Sequence, residues 1–174
     1  MRKLCALFGL FFVMGMPAHA NSIGARVAVG QINTNTKENF DAYELFGVFD
    51  LPWSWQRPHT RVQTQLEITG ADLKGGGESG FLGTLGGRVA FIRHYVTFDL
   101  GGGVAGVGRN RFGQQNFGGA FQFIAEAGVD LNLTRRISAG ARFRHMSDAR
   151  LHKGGEDLNL IFIELSYNFN VGKH

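Results

Sequence analysis

The feature that most constrains this chain is a two-residue alternation of apolar and polar side chains, repeated in eight segments. They run at about 22–31, 42–51, 60–69, 80–92, 94–106, 119–133, 136–147 and 157–169. Side chains two apart on a strand share a face, so this period specifies strands and not helices. In "TRVQTQLEIT", Val62, Leu66 and Ile68 lie on one face and Arg61, Gln63, Gln65 and Glu67 on the other. The last segment sets Ile161, Ile163, Leu165, Tyr167 and Phe169 against Glu164, Ser166 and Asn168.

The polar faces decide what kind of β-protein this is. Together they carry Arg26, Glu44, Arg61, Glu67, Arg88, Asp99, Glu126, Asp130, Arg142, Arg144 and Glu164, five positive and six negative charges. A small closed barrel can hold such groups inside as a paired network and turn its apolar face to lipid. Segments of 10–15 residues are long enough to cross a bilayer as tilted strands. Eight strands leave no room for a wide pore, so the expected fold is all-β, an eight-stranded antiparallel transmembrane barrel with a polar, side-chain-filled interior. The connections agree. "INTNTKENFD", "GADLKGGGES", "VGRNRFGQQNF" and "DARLHKGGE" are long and polar, whereas those at Arg93 and Thr134–Arg135 are very short. Outer-membrane barrels have long outer loops and short periplasmic turns. "PWSWQRPH" is the exception, a longer connection whose Trp53 and Trp55 suit an interfacial aromatic girdle.

The first twenty residues read as a secretory signal peptide. Arg2 and Lys3 precede an apolar core, and Ala18 and Ala20 mark a small-residue cleavage site. Residues 21–174 then form one barrel domain. The only cysteine, Cys5, leaves with the leader, which removes disulfides and thiol chemistry from the remainder. Formal charge falls from +4 to +2 on the same cleavage, and no basic run argues for a nucleic-acid partner. No metal-ligand spacing appears, His59 and His94 stand isolated, and no cofactor is expected. Gly101, Gly103 and Gly106 spell G-x-G-x-x-G, but a loop follows them and not the helix a dinucleotide site requires.

"RHMSDARL" breaks the pattern. Ile137, Ala139, Ala141, Phe143, His145 and Ser147 share the lipid-facing parity of the seventh segment, so a histidine and a serine continue an apolar stripe at its outer rim. Such a pair also suits a solvated strand end. It equally suits a general base beside a hydroxyl nucleophile. The position implies a substrate in the outer leaflet, which in a Gram-negative outer membrane is lipopolysaccharide.

"HMSDARLHKGGEDLN" resembles the H-x-S-N-A-x-[LI] region of the PagL-type lipid A 3-O-deacylases. The likeness extends upstream through "FGGAFQFIAEAGVDLNLTRRISAGARFRH" and "GGGVAGVG". The resemblance implies a serine esterase of the outer membrane that removes the 3-O-linked hydroxyacyl chain of lipid A. It makes Ser147 the nucleophile and His145 the general base. Two positions depart from the pattern. Asn159 stands where the family's glutamate is found, with Glu156 and Asp157 as alternatives close by, and Asp148 replaces an asparagine. Backbone N–H groups at Asp148–Ala149 would serve the oxyanion, and Arg150, His152 and Lys153 could meet lipid A phosphates. The expected partners are lipid A and the outer membrane, with a homodimer an open alternative to a monomer. The rival readings are a non-catalytic structural or adhesion barrel and a secreted barrel holding a lipid inside; the second requires an apolar interior.

Overall fold

The computed structural model describes residues 22–32, 38–149, 151 and 155–169. The expected leader (1–20) and Arg150, His152 and Lys153 lie outside the described residues. In chain order the strands are β1 (Ser22–Gln31), β2 (Phe40–Arg57), β3 (Thr60–Gly75), β4 (Glu78–Arg93), β5 (Val96–Val107), β6 (Arg111–Phe112), β7 (Gln115–Asn116), β8 (Phe121–Asn132), β9 (Ile137–Ser147) and β10 (Leu158–Asn168). Eight of them close a barrel in the order β1-β10-β9-β8-β5-β4-β3-β2, and every pair is antiparallel. Ribbon β6–β7 is a separate small sheet within the connection from β5 to β8. Closure leaves no strand edge to be satisfied by lipid, which cannot hydrogen-bond.

Two expected connections are strand instead. β3 and β4 run through "GADLKGGGES" to a turn at Gly76 and Gly77, both with positive φ, a conformation that glycine adopts without a Cβ penalty. Here the period continues: Ala71 and Leu73 are buried, while Asp72 and Lys74 point out. "PWSWQR" likewise extends β2. Its register shifts between Asp50 and Ser54, as expected where Pro52 has no N–H to give a ladder. Gln63 Nε2 donates to Leu51 O at 2.7 Å, and Thr64 Oγ1 donates to Trp53 O at 2.8 Å, so side chains satisfy the bulge's carbonyls.

The outer wall is apolar, with Leu45, Phe81, Phe98, Leu100 and Leu165 all exposed. Inside are three tiers. At the long-loop end Phe40, Phe112 and Phe117 stack with centroids 5.5–5.7 Å apart and close the barrel over Leu73, Leu82, Met146 and Leu158. Two of these rings come from the β5–β8 connection folded inward, so an apolar cap joins the polar, side-chain-filled interior that was expected. The middle tier is ionic. At the short-turn end a cavity of about 1020 Å³ opens between Arg57, His59, Arg61, His94 and Arg135. Gly103, from the glycine motif of β5, packs so close to β4 that a Cβ there would lie 2.2 Å from Leu85 O. That is close strand packing, the structural alternative to a phosphate loop.

The ionic tier draws one or more groups from each of the eight barrel strands. Arg26 on β1 binds Glu44 on β2, Glu67 on β3 (2.5 Å) and Glu164 on β10 (3.1 Å). Arg142 is bidentate to Asp99 on β5, at 2.6 and 3.0 Å, and reaches Glu164 at 3.0 Å. Arg144 is bidentate to Glu44, at 2.5 and 2.9 Å, and also binds Glu126 on β8. Arg88 on β4 joins Glu67 at 2.9 Å. Arg26→Met would leave three buried carboxylates short of a partner. We expect about 3–5 kcal/mol of lost stability, read as a lower urea midpoint for the barrel in lipid bilayers.

Candidate active site

His145 and Ser147 lie at the long-loop end of β9, on its outer face. Alternation fixes the direction: Arg142, Arg144, Met146 and Asp148 are buried, whereas Phe143 is exposed and His145 and Ser147 are half-buried. The arginines enforce it, since each is held inward by two carboxylates. Asn159 is the β10 residue paired with His145, and its Oδ1 lies 2.7 Å from His145 Nδ1. An amide oxygen only accepts, so Nδ1 is the donor in this contact, and in the neutral ring Nε2 is left as the acceptor. The contact therefore selects the tautomer that a general base requires, with Nε2 available to a neighbouring hydroxyl.

The other anticipated residues separate. Glu156 Oε2 accepts from Asn116 N at 2.9 Å, and Glu156 N donates to Asn116 O at 2.8 Å. That exchange ties the β9–β10 loop to ribbon β6–β7, and the ring of His145 is met by Asn159. Asp148 is 4% exposed and turned inward against Gly155, where a Cβ would lie 2.2 Å from its Oδ2. Its carboxylate thus sits on the opposite side of the strand from Ser147. Ala149 follows with φ +49°, strained for a residue with a Cβ, and Leu151 N donates to Asp148 O at 3.0 Å. Ser147 is the last β9 residue paired to β8, so the chain turns sharply just after it.

One feature of the wall escaped sequence reading, because only the register reveals it. His145 pairs with Ala125 on β8, Ala125 with Gly102 on β5, and Gly102 with Gly87 on β4. This row of small outward residues is flanked by larger ones. Phe123, Val104 and Leu85 form the row on the Ser147 side, and Phe143, Ala127, Leu100 and Val89 the row beyond, large except at Ala127. The result is a shallow trough starting at His145. Carried on through Leu66 and Phe49, the same row reaches the short-turn end, so the trough descends along the barrel wall. His59 and His94, expected to be isolated, stack at that end with centroids 6.1 Å apart. Among the described residues, no three His, Cys, Asp or Glu side chains are grouped to hold a metal ion.

The tautomer is measurable. Nitrogen-15 spectra of histidine-labelled protein should show His145 with the proton on Nδ1, and Asn159→Leu should shift the ring toward a mixed population.

Comparison with known proteins bears on the family and the fold. The family model "Lipid A 3-O-deacylase (PagL)" matches residues 41–168. The crystal structure of the outer membrane enzyme PagL superposes with a TM-score of 0.66 at 21% identity, covering 83% of this chain and 97% of that one. The N-terminal β-barrel domain of Pseudomonas aeruginosa OprF gives 0.55 at 12% identity, covering 86% and 98%, a likeness of fold alone. No curated protein sequence matches the chain. With a closed eight-stranded barrel and a family match over most of its length, this chain belongs to the lipid A 3-O-deacylase (PagL) family.

Proposed function

We propose that the protein is a serine esterase of the outer membrane that hydrolyses the 3-O-linked acyl ester of lipid A, working from the outer leaflet. The observation that carries this reading is the 2.7 Å contact between His145 Nδ1 and Asn159 Oδ1 on the lipid-facing wall, with Ser147 on the same face. A soluble hydrolase would house such a pair in a water-filled cleft. Here it faces the medium in which an acyl ester is dissolved. The usual orientation of such barrels, with short turns toward the periplasm and long loops outward, supports a position for the pair at the level of the outer leaflet's ester linkages.

The chemistry divides into two displacements. His145 Nε2 takes the proton of Ser147 as its Oγ attacks the ester carbonyl. Backbone N–H groups at Asp148–Ala149, where the strand ends, receive the oxyanion. Collapse expels the sugar 3-oxygen, which takes the proton back from His145, and leaves an acyl-serine. Water, deprotonated by the same nitrogen, releases the hydroxy fatty acid and restores the serine. Asn159 orients the ring but brings no charge to the imidazolium, so the residue is a positioning group only. Glu156 fits better as a loop clasp than as a third catalytic member.

Ser147→Ala should lower lipid A deacylation by about three orders of magnitude or more, read by mass spectrometry of extracted lipid A. Unchanged deacylation would remove the serine from the mechanism. Asn159→Ala should cost about ten- to a hundredfold, whereas Asn159→Glu, which adds the missing charge, should raise kcat.

The trough supports the same reading. Its three strand spacings span roughly 14 Å, enough for the run of methylenes in a medium-length fatty chain. It begins beside the proposed base and descends as a chain hanging from the rim would. Gly87→Leu, at the far end of the trough where an added Cβ meets nothing nearer than Gln65 O at 4.0 Å, should raise KM for long-chain substrates while leaving cleavage of a short soluble ester unchanged. Equal loss on both substrates would contradict that path.

A further inference from the structure

The short-turn end carries a charge pattern unlike the rest of the molecule. Arg57, Arg61, Arg93, Arg135 and Arg136 lie in or beside its three turns, with His59 and His94. Asp50, 3.6 Å from Arg61, faces this ring, and Asp130 and Glu164 line the cavity it surrounds. The outer loops, by contrast, mix acids and bases, as in Arg109 with Glu78 at 2.7 Å.

Aromatic side chains share this ring. Trp53 is 80% exposed and Tyr95 74%, with Trp55, Tyr167 and Phe169 also at the surface. Two of the guanidiniums are held by them. Arg57 stacks 4.3 Å above the Trp55 ring, and Arg136 Nη1 donates to Tyr167 Oη at 3.0 Å. Exposed arginines ordinarily pair with carboxylates or swing free in water. Here aromatic side chains take the carboxylates' place, the composition of an interfacial girdle. Strands that continue apolar toward Trp55 and Tyr167 make the adjoining medium a lipid, so the anion that complements this ring is a lipid phosphate.

We infer that this collar, centred on Arg57, Arg93, Arg135 and Arg136, is a binding site for anionic phospholipid headgroups. With the orientation proposed above, those are headgroups of the inner, periplasmic leaflet. The guanidiniums bind the phosphate through paired N–H donors, and the tryptophans hold the glycerol and upper acyl region. The collar thereby sets the depth of the barrel, and so the height of Ser147 in the opposite leaflet. That consequence rests on the proposed function; the lipid site itself does not.

The chain's two tryptophans are Trp53 and Trp55, so their fluorescence reports the collar alone. The full-length barrel is refolded into bilayers of phosphatidylcholine and phosphatidylglycerol, one lipid at a time brominated in its acyl chains. Quenching should show phosphatidylglycerol enriched about fivefold around the tryptophans over its bulk fraction. The enrichment should fall to near unity in R57Q/R93Q/R135Q/R136Q, and in the native sequence at about 0.5 M salt, where screening reaches a few ångström. Equal quenching by the two lipids, or an enrichment that survives the four substitutions, would overturn the site. Should the quadruple variant not refold, the salt series on the native sequence decides, and enrichment that persists in high salt overturns it as well. The measurement needs neither a particular insertion direction nor deacylase activity, so its failure is separable from failure of the esterase reading.

Discussion

Arg26, Arg142 and Arg144 bind carboxylates from strands all around the barrel, and the rest of the structure depends on that belt. In a water-soluble protein the dominant force would gather apolar side chains inside. Here the apolar face meets lipid, and moving it from one apolar medium to another contributes little. Specificity must come from what the interior can pair. A guanidinium offers five donors in a fixed fork and a carboxylate two acceptor oxygens, so each group bonds to several strands at once. A register slip of one residue in any strand would turn that strand's charges to lipid and leave their partners inside unpaired. The belt therefore sets register around the ring as well as holding it closed.

That constraint reaches the site. Arg142 and Arg144 alternate with Phe143, His145 and Ser147 on one strand. Holding the first two inward commits the others to the lipid side. The same register brings Asn159 opposite His145, although the two are joined only through an intervening loop. The outward placement of His145 and Ser147 is thus a product of charge pairing on the barrel's inside. Ribbon β6–β7 connects the same end differently. It sends Phe112 and Phe117 down as a plug and clasps the β9–β10 loop through Asn116 and Glu156. Glu156, just before β10, is therefore tied to the ribbon that carries the plug.

Much of this was legible along the chain because a β-barrel writes its faces into the period of its sequence. The outward parity of His145 and Ser147 and the inward parity of the charged residues follow from counting by twos, whereas the three candidates for the histidine's partner came from the family resemblance. The errors also have physical causes. Glycines and charges in "GADLKGGGES" look like a loop, yet outward charges on a strand are acceptable once it has left the membrane. "PWSWQRPH" looks like a connection because proline breaks a ladder, but a bulge accommodates it when Gln63 and Thr64 bond the displaced carbonyls. Phe112 and Phe117 carried no periodic signal, since an inward-folded ribbon of two-residue strands is too short to show one.

The sequence by itself determined the fold class, the strand count and which side chains face lipid, because alternation is a local property that each segment states independently. Only the tertiary structure decided which residues become neighbours across strands: Asn159 with His145, Glu156 with Asn116, Ala125 with Gly102 and Gly87, and the arginines with their carboxylates. Those pairings are set by register, and register is fixed by the closure of eight strands around one belt of charge. No segment can carry that information alone, since the energy that selects it exists only when all the strands are in place.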